Sequence, residues 1–242
     1  MTTLNLLCAG AAKGLVLALK APFFAATDAR IDARFGAVGA MKEALLFSAN
    51  GATGATPHAP CDVLLVTQNM VDALCDSGHL NAGQRSNLGR VRTGIAVTSG
   101  ELVPDVSHPA ALKAALLAAS HIYFPDPERA TAGIHFAKVV RELGIYDDIS
   151  ARFKTYPNGA TAMAALALAN EHTAIGCTQL TEINYTEGVT LVAALPAEFE
   201  LATVYTAAVC AGSLQTALAA QFVALLGGPE SAALRVAGGF EI

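Results

Sequence analysis

The sequence has 242 residues, of which 53% are hydrophobic and 14% are charged. This apolar content excludes a disordered chain, because such chains lack the apolar surface that offsets the entropy lost on ordering. The formal net charge is -5, and the 15 basic residues are scattered singly. Proteins that bind nucleic acid neutralise phosphates with a stripe of Lys and Arg, so we expect no nucleic-acid partner.

Strand-like and helix-like segments alternate along the chain, which predicts parallel α/β units. The first third contains predicted strands at Leu4–Cys8, Arg30–Phe35 and Cys61–Thr67, and predicted helices at Ala11–Leu19, Ala40–Phe47 and Asn69–Asp76. A surface loop rich in Gly, Ala, Thr and Pro is predicted over Ser48–Pro60. The middle contains predicted strands at Gly89–Gly100, Ile122–Phe124, Arg152–Tyr156 and Ala174–Thr178, and predicted helices from Pro109, over Thr131–Leu143 and over Ala160–Asn170. Strands at Val189–Ala194 and Glu200–Cys210 and helices at Leu214–Leu226 and Glu230–Ala237 complete the prediction.

Four loops of small residues each follow a predicted strand and open a predicted helix. They are Cys8–Lys13, Phe35–Gly39, Asp126–Gly133 and Tyr156–Ala160. Ligands of open α/β sheets bind at the carboxyl ends of the strands, where helix N-termini present N–H groups and partial positive charge. The loops therefore predict a site for a small anion. The alternative is that Gly and Ala only permit tight turns and close packing here.

Other chemistries have no motif in this sequence. Its six histidines show no metal spacing, and neither GxGxxG, a P-loop nor GxSxG is present, so no metal, cofactor or serine triad is predicted. The five cysteines contain no CxxC and favour buried reduced thiols. The longest apolar runs are too short or too interrupted to span a bilayer, and the first residues lack the features of a leader. We therefore expect no membrane insertion and a cytoplasmic location.

Seven collinear stretches, which include DPERATAGIHFAKVVRELGI and IGCTQLTEI, resemble bacterial solute-binding proteins of the molybdate-binding type. The stretches are Leu6–Leu19, Phe35–Leu45, Ala59–Thr67, Val91–Ser99, Tyr123–Gly144, Ala174–Ile183 and Glu187–Val209. The resemblance implies a leaderless variant of the α/β, two-lobed type 2 periplasmic-binding-protein fold, with mixed sheets flanked by helices and a ligand cleft between the lobes. Lobe one would comprise residues 1–84 and 203–242, and lobe two residues 85–202, with crossings near Arg90–Thr93 and Glu200–Val204.

The chain departs from this family at the positions that bind molybdate. The resemblance implies a serine in each of the first two loops and a tyrosine near the fourth, where this chain has Gly10–Ala12, Ala37 with Val38, and Cys177. Loss of these hydroxyls, with Lys and Arg nearby, favours an organic carboxylate over molybdate. The candidate ligand-binding residues are Gly10, Ala11, Ala12, Lys13, Val38, Gly39, Thr67, Gln68, Arg92, Arg129, Thr131, Asn158 and Gln179.

Two functions stay open from the sequence, and a cytoplasmic sensor module is a third alternative. The first is capture of a small anion without chemistry, as the resemblance implies. The second is an isomerase of unsaturated tricarboxylates, because one branch of enzymes similar to molybdate-binding proteins contains aconitate isomerase. Proton transfer would then need a base, for which Cys177 and His135 are the candidates, with Glu182 and Lys13 as further ones. His135 is also compatible with a packed or exposed histidine that has no catalytic role.

Overall fold

The structure is a computed structural model that describes residues 2–49 and 60–242. Within the predicted loop Ser48–Pro60, residues 50–59 lie outside the described part of the chain. Contacts divide the chain into two compact units. The first unit comprises Met1–Arg90 and Thr203–Ile242, and the second comprises Val91–Ala202.

Strands and helices alternate through most of the chain, as the sequence predicts. The strands are β1 (Thr2–Ala9), β2 (Ala29–Gly36), β3 (Val63–Thr67), β4 (Leu80–Thr98), β5 (Ile122–Pro125), β6 (Phe153–Tyr156), β7 (Ile175–Gln179), β8 (Val189–Ala194) and β9 (Ala202–Cys210). The helices are α1 (Lys13–Thr27), α2 (Val38–Ala49), α3 (Gln68–Asp76), α4 (Pro109–Ala118), α5 (Thr131–Glu142), α6 (Tyr146–Ile149), α7 (Gly159–Ala167), α8 (Leu180–Tyr185), α9 (Thr216–Gly227) and α10 (Ala232–Gly238).

The sheet of the first unit has the strand order β2-β1-β3-β9. Strand β1 runs parallel to β2 and to β3, and β9 is antiparallel to β3. The core beneath this sheet is apolar: Phe23 of α1 and Phe222 of α9 meet edge to face, with ring centroids 4.9 Å apart. Because β1, β2 and β3 are parallel, their carboxyl ends lie at the same edge of the sheet.

The sheet of the second unit has the order β4-β7-β5-β6, and β8 pairs with β4. Strand β5 is parallel to β6 and β7, whereas β4 is antiparallel to β7 and β8. Both faces of this sheet are covered. One face packs under α4 and α5 around Phe124 and Phe136, and the other packs under α7 around Met163 and Leu166.

Several parts of the chain differ from the prediction. Strand β4 begins at Leu80, where the sequence predicts a strand only from Gly89, and the six-residue helix α8 is not predicted at all. The predicted helix Ala11–Leu19 is a short 3-10 turn at Gly10–Ala12 followed by α1, which continues to Thr27. In the described part of the chain no single helix is long and apolar enough to cross a membrane. One bent pair, Thr216–Gly227 with Pro229–Gly238, meets those two criteria jointly.

Candidate functional site

One edge of the first unit collects three strand ends and three helix starts. Helices α1, α2 and α3 follow β1, β2 and β3 directly, and Ala9 at the end of β1 pairs in register with Gly36 at the end of β2. Two of the four predicted loops, after β1 and after β2, therefore lie at one edge, together with Thr67 and Gln68 after β3. We call this region the strand-end edge.

Helices α1 and α3 begin at the strand-end edge without a side-chain cap. The side chains of their N-cap residues, Ala12 and Thr67, accept no hydrogen bond from an N–H group of the first turn. The 3-10 turn before α1 also has no side-chain cap. Backbone N–H groups in the first turn of a helix have no partner within the helix. Such N–H groups attract anions, because they carry the positive end of the helix dipole.

The side chains at this edge are small or cationic. Gly10, Ala11 and Ala12 are buried, as is Val38, while Gly39, Thr67 and Gln68 are half-buried. Lys13 is half-buried, and its Nζ lies 5.8 Å from the ring centroid of Phe35, at the end of β2. A cation over an aromatic face is held in place by the ring quadrupole. The edge thus combines backbone N–H groups with one ammonium group and has no serine in its first two loops.

In the second unit, the backbone N–H groups of the loop after β5 donate hydrogen bonds within the loop itself. The carboxylate of Asp126 accepts from the N–H of Glu128 at 2.7 Å and of Arg129 at 3.1 Å, and the Asp126 carbonyl accepts from Ala130. The predicted anion loop is therefore an internally bonded turn up to Ala130. Helix α5 then starts at half-buried Thr131 without a side-chain cap, and the Arg129 side chain is exposed beside it.

Gly133 in the first turn of α5 is required by close packing. A Cβ atom at this position would collide with the carbonyl oxygens of Pro125 and Asp126 at the end of β5. The glycine therefore lets the start of α5 approach the strand end, which is the role the sequence analysis gave as the alternative to anion binding.

Asn158 is a helix cap. Its Oδ1 accepts from the N–H of Thr161 at 2.9 Å and from the Thr161 hydroxyl at 3.0 Å. This places Asn158 at the N-cap of α7, where Asn is among the preferred residues. The Oδ1 atom of Asn158 is therefore used within the second unit, and a ligand contact of this residue stays a prediction from the sequence.

Glu182 fills the anion position at the start of α7. Its carboxylate accepts from Thr178 Oγ1 at 2.5 Å and from the N–H of Ala160 at 3.2 Å, and the N–H groups of Gly159 and Gln179 also stabilise its charge. The side chain is buried, and burial raises the pKa of Glu182, although these hydrogen bonds act in the opposite direction. A carboxylate of the protein itself therefore occupies the fourth predicted loop.

Gln179 and Arg92 are engaged within the second unit. The Gln179 carboxamide, oriented as its neighbours require, places its nitrogen 3.2 Å from the carbonyl oxygens of Val91 and Arg92. Gln179 is almost fully buried there. The Arg92 guanidinium lies 4.0 Å from the carboxylate of Glu200. Both side chains thus join segments of the second unit, whereas the sequence analysis assigned them to a ligand.

The two residues predicted to be catalytic, Cys177 and His135, are each held by contacts within the second unit. The prediction that Cys177 ends a strand and faces a ligand is wrong. Cys177 lies in the middle of β7, fully buried among residues such as Phe124 and Phe136, and burial raises its pKa well above the ordinary thiol range. His135 of α5 is half-buried, and its Nε2 lies 2.8 Å from the carbonyl oxygen of Phe199. That contact fixes the imidazole against the backbone.

The sequence analysis missed the capping role of Glu182, for which the sequence does carry a signal. Glu182 is the third residue of α8, and a Glu at that position typically returns to the N–H of the N-cap residue. Gln179 is that N-cap residue, so the local part of the arrangement follows a known pattern. Across residues 2–49 and 60–242, no group of three or more His, Cys, Asp or Glu side chains is placed to hold a metal ion.

Comparison with known proteins places this geometry in a family. The sequence profile described as bacterial extracellular solute-binding protein matches residues 4–241. An aconitate isomerase from a Pseudomonas species is 24% identical over 223 residues, which cover 88% of this chain and 78% of the isomerase.

Solved structures show the same fold. The periplasmic molybdate-binding protein of Azotobacter vinelandii matches with a TM-score of 0.75 and 20% identity, over 99% of each chain. The sulfate-binding protein SubI from Mycobacterium tuberculosis H37Rv matches with a TM-score of 0.68 and 14% identity, over 99% of this chain and 86% of that chain. These matches confirm the predicted periplasmic-binding-protein fold. Because the family profile spans nearly the whole sequence, the chain belongs to the bacterial extracellular solute-binding protein family.

Proposed function

We propose that the chain binds a small organic acid through a carboxylate at the strand-end edge of the first unit. The observation that carries this proposal is that two uncapped helix starts, those of α1 and α3, lie at this edge, with Lys13 as the first residue of α1. Backbone N–H groups supply hydrogen bonds to the carboxylate oxygens, and Lys13 supplies the opposite charge.

The missing hydroxyls favour a carboxylate over a tetrahedral metal oxyanion. The molybdate-type resemblance implies serines in the first two loops, where this chain has Gly10–Ala12 and Ala37 with Val38. The similar structures are named for binding molybdate and sulfate, and the similar enzyme for acting on aconitate, so each is named for an anion. A carboxylate retains the anionic charge without needing those serines. A contribution of Arg129 and Thr131 to the same ligand stays a prediction from the sequence.

An isomerase is the second candidate function, and the similarity to aconitate isomerase favours it. A cation bound to a carboxylate would stabilise charge that develops when a proton leaves the neighbouring carbon. The sequence predicts Cys177 or His135 as the base for that step. Cys177 lies in the core and the His135 ring contacts a backbone carbonyl, so the surroundings of these residues add no support to this candidate. The contacts at the strand-end edge therefore support binding more directly than proton transfer.

Thermal unfolding with a panel of anions tests the binding proposal. Citrate, trans-aconitate and succinate are compared with molybdate, tungstate and sulfate. A ligand at 100 times its dissociation constant adds about 2.7 kcal/mol of stability. For a chain of this size that raises Tm by about 5–11 °C. We expect this shift from at least one carboxylate and not from molybdate or tungstate.

A variant pair locates the site. Lys13→Ala removes the ammonium group at the strand-end edge, and Lys20→Ala removes one from the same helix further from its start. We expect Lys13→Ala to weaken carboxylate binding about tenfold or more, since hydrogen bonds to a charged group contribute about 1.5–3 kcal/mol. Lys20→Ala should bind as the wild type does. Equal affinities in both variants, or a larger Tm shift with molybdate, would contradict the proposal.

The isomerase candidate has its own test, which uses the wild-type chain. Incubation with trans-aconitate in deuterated water, followed by NMR, should yield the cis isomer if the chain is an isomerase. Deuterium enters the product if the abstracted proton exchanges with solvent. A chain that binds trans-aconitate tightly but forms no isomer is a binding protein.

A further inference from the structure

Two cysteines of the first unit touch each other in its core. The sulfur atoms of Cys61 and Cys210 are 3.5 Å apart, although 149 residues separate them along the chain. The Cys210 thiol donates to the Cys61 sulfur, and the Cys61 thiol donates to the carbonyl of Val63 at 3.3 Å. Both cysteines are buried and unbonded to each other covalently.

The backbone around this contact is fixed by the sheet. Val63 at the start of β3 pairs in register with Val209 near the end of β9, and the N–H of Cys210 donates to the carbonyl of Asp62 at 2.9 Å. The side chain of Asp62 is held as well, by the N–H of Asn5 at 2.8 Å and the Ser213 hydroxyl at 2.7 Å. The two cysteines are therefore neighbours because of the fold, on segments that cannot easily separate.

We propose that Cys61 and Cys210 form a reversible disulfide that joins the start of β3 to the end of β9. A disulfide needs its sulfur atoms about 2.05 Å apart, so the two atoms must approach by about 1.5 Å. The oxidant is a low-molecular-weight disulfide such as glutathione disulfide. One reagent disulfide is reduced to two thiols while the two cysteines are oxidised, so electrons and protons balance.

The order of the two steps follows from the environment of the sulfurs. The hydrogen bond to Cys61 and burial raise the pKa of Cys210 well above the ordinary thiol range, so Cys210 keeps its proton. Cys61 is also the more exposed of the two, at 7% against 2%, so it is the first nucleophile: its sulfur attacks the reagent, loses its proton and releases one glutathione. The sulfur of Cys210 then displaces the second glutathione from Cys61, loses its proton and closes the disulfide.

The other described cysteines serve as controls. Cys8 is fully buried in the first unit and Cys177 is fully buried in the second, and burial raises the pKa of each. Cys75 is half-buried on α3. The Cys61–Cys210 contact lies at the opposite end of β3 from Thr67, so the disulfide leaves the strand-end edge unchanged. Its failure would not affect the proposed function.

Alkylation followed by mass spectrometry tests this proposal. The wild-type chain is incubated with glutathione disulfide in the folded state, and a second sample is refolded in a glutathione buffer. Each sample is then denatured and treated with N-ethylmaleimide. We expect three alkylated cysteines in at least one sample, against all five after reduction, and a peptide that links Cys61 to Cys210. Cys75→Ser should form the same link, and Cys210→Ser should not.

A second readout measures the effect on stability. A disulfide that closes a loop of this length restricts the unfolded chain strongly, so we expect Tm to rise by about 5 °C or more on oxidation and to fall again on reduction. Cys210→Ser should show no such shift. Five alkylated cysteines in both samples, a lasting glutathione adduct on Cys61, or a link between other cysteines would overturn the proposal.

Discussion

Replacing Glu182 should be among the most destabilising single changes in the second unit. Its carboxylate accepts hydrogen bonds from the buried Thr178 hydroxyl and from the N–H of half-buried Ala160, and the N–H groups of Gly159 and Gln179 also stabilise its charge. A buried donor left without its acceptor costs about 1 kcal/mol at the low end of the measured range. Glu182→Ala should therefore cost about 2 kcal/mol for the two hydrogen bonds, which for a chain of this size lowers Tm by about 4–8 °C.

Glu182→Gln separates charge from hydrogen bonding. The amide keeps one acceptor oxygen but turns an NH₂ group toward donors, so about half of the loss is expected, or about 1 kcal/mol. Burial raises the pKa of Glu182 in the folded state above the ordinary value of 4.5. The folded chain then binds this proton more tightly than the unfolded chain does. The resulting stability is complete at acid pH and is lost as pH rises through the folded pKa.

Chemical denaturation of the wild type and the variants from pH 4 to pH 8 measures these effects. The stability of the wild type minus that of Glu182→Gln should fall as pH rises above 4.5. Glu187→Gln, an exposed position just beyond α8, is the matched control and should leave stability within about 0.5 kcal/mol of the wild type. A loss below about 1 kcal/mol in Glu182→Ala, or a wild-type advantage that grows with pH, would refute this account.

Three further predictions concern packing, chemistry and compartment. Gly133→Ala should lower the free energy of unfolding by about 1–3 kcal/mol in thermal unfolding, because the added Cβ would meet the carbonyls of Pro125 and Asp126. Gly83→Ala is the control and should leave stability unchanged, since its Cβ would have no atom within 4 Å. Cys177→Ala should lower the free energy of unfolding by about 1 kcal/mol and leave ligand-induced Tm shifts and any isomerase rate unchanged. A variant that loses turnover would contradict this prediction. The cytoplasmic location stays a prediction, and fractionation of native cells with the mass of the recovered N-terminus checks it.

Segments with a strong local pattern are predictable from the sequence. The predicted strand Val189–Ala194 has the same bounds in the structure, and α5 begins at Thr131 as predicted. Gly144 after α5 has φ +67°, the left-handed conformation expected of a glycine that ends a helix. In these places the spacing of the hydrophobic residues and the residue that ends the element indicate the same structure.

Segments that depend on distant partners are not predictable in this way. The first half of β4 contains Asn, Gln, Arg and Ser, and its burial alternates irregularly between Leu80 and Leu88. The pairing of this segment decides its structure, because its residues have no strand-like pattern of their own. Helix α8 has only six residues, too few for a helical period to be visible.

The candidate site divides in the same manner. The small loops at strand ends and the helices that follow them are visible in the sequence, because Gly and Ala stand between an apolar run and a helix. The carboxylate that fills the start of α7 is 22 residues away from Ala160, so only the fold reveals that this loop is already occupied. The burial of Cys177 in the core was also not predictable, since β7 is buried on both faces and shows no alternation that distinguishes one face from the other.

The pairing of β3 with β9 has a consequence for synthesis of the chain. Val63 and Val209 are partners in the sheet of the first unit, so that sheet stays incomplete until the ribosome has released residues near the end of β9. The second unit is continuous over Val91–Ala202, so all of its strands emerge before β9 does. Domains fold as units during synthesis when their residues are available. We therefore expect the second unit to fold first, while part of the apolar surface of β3 stays exposed until β9 pairs with it.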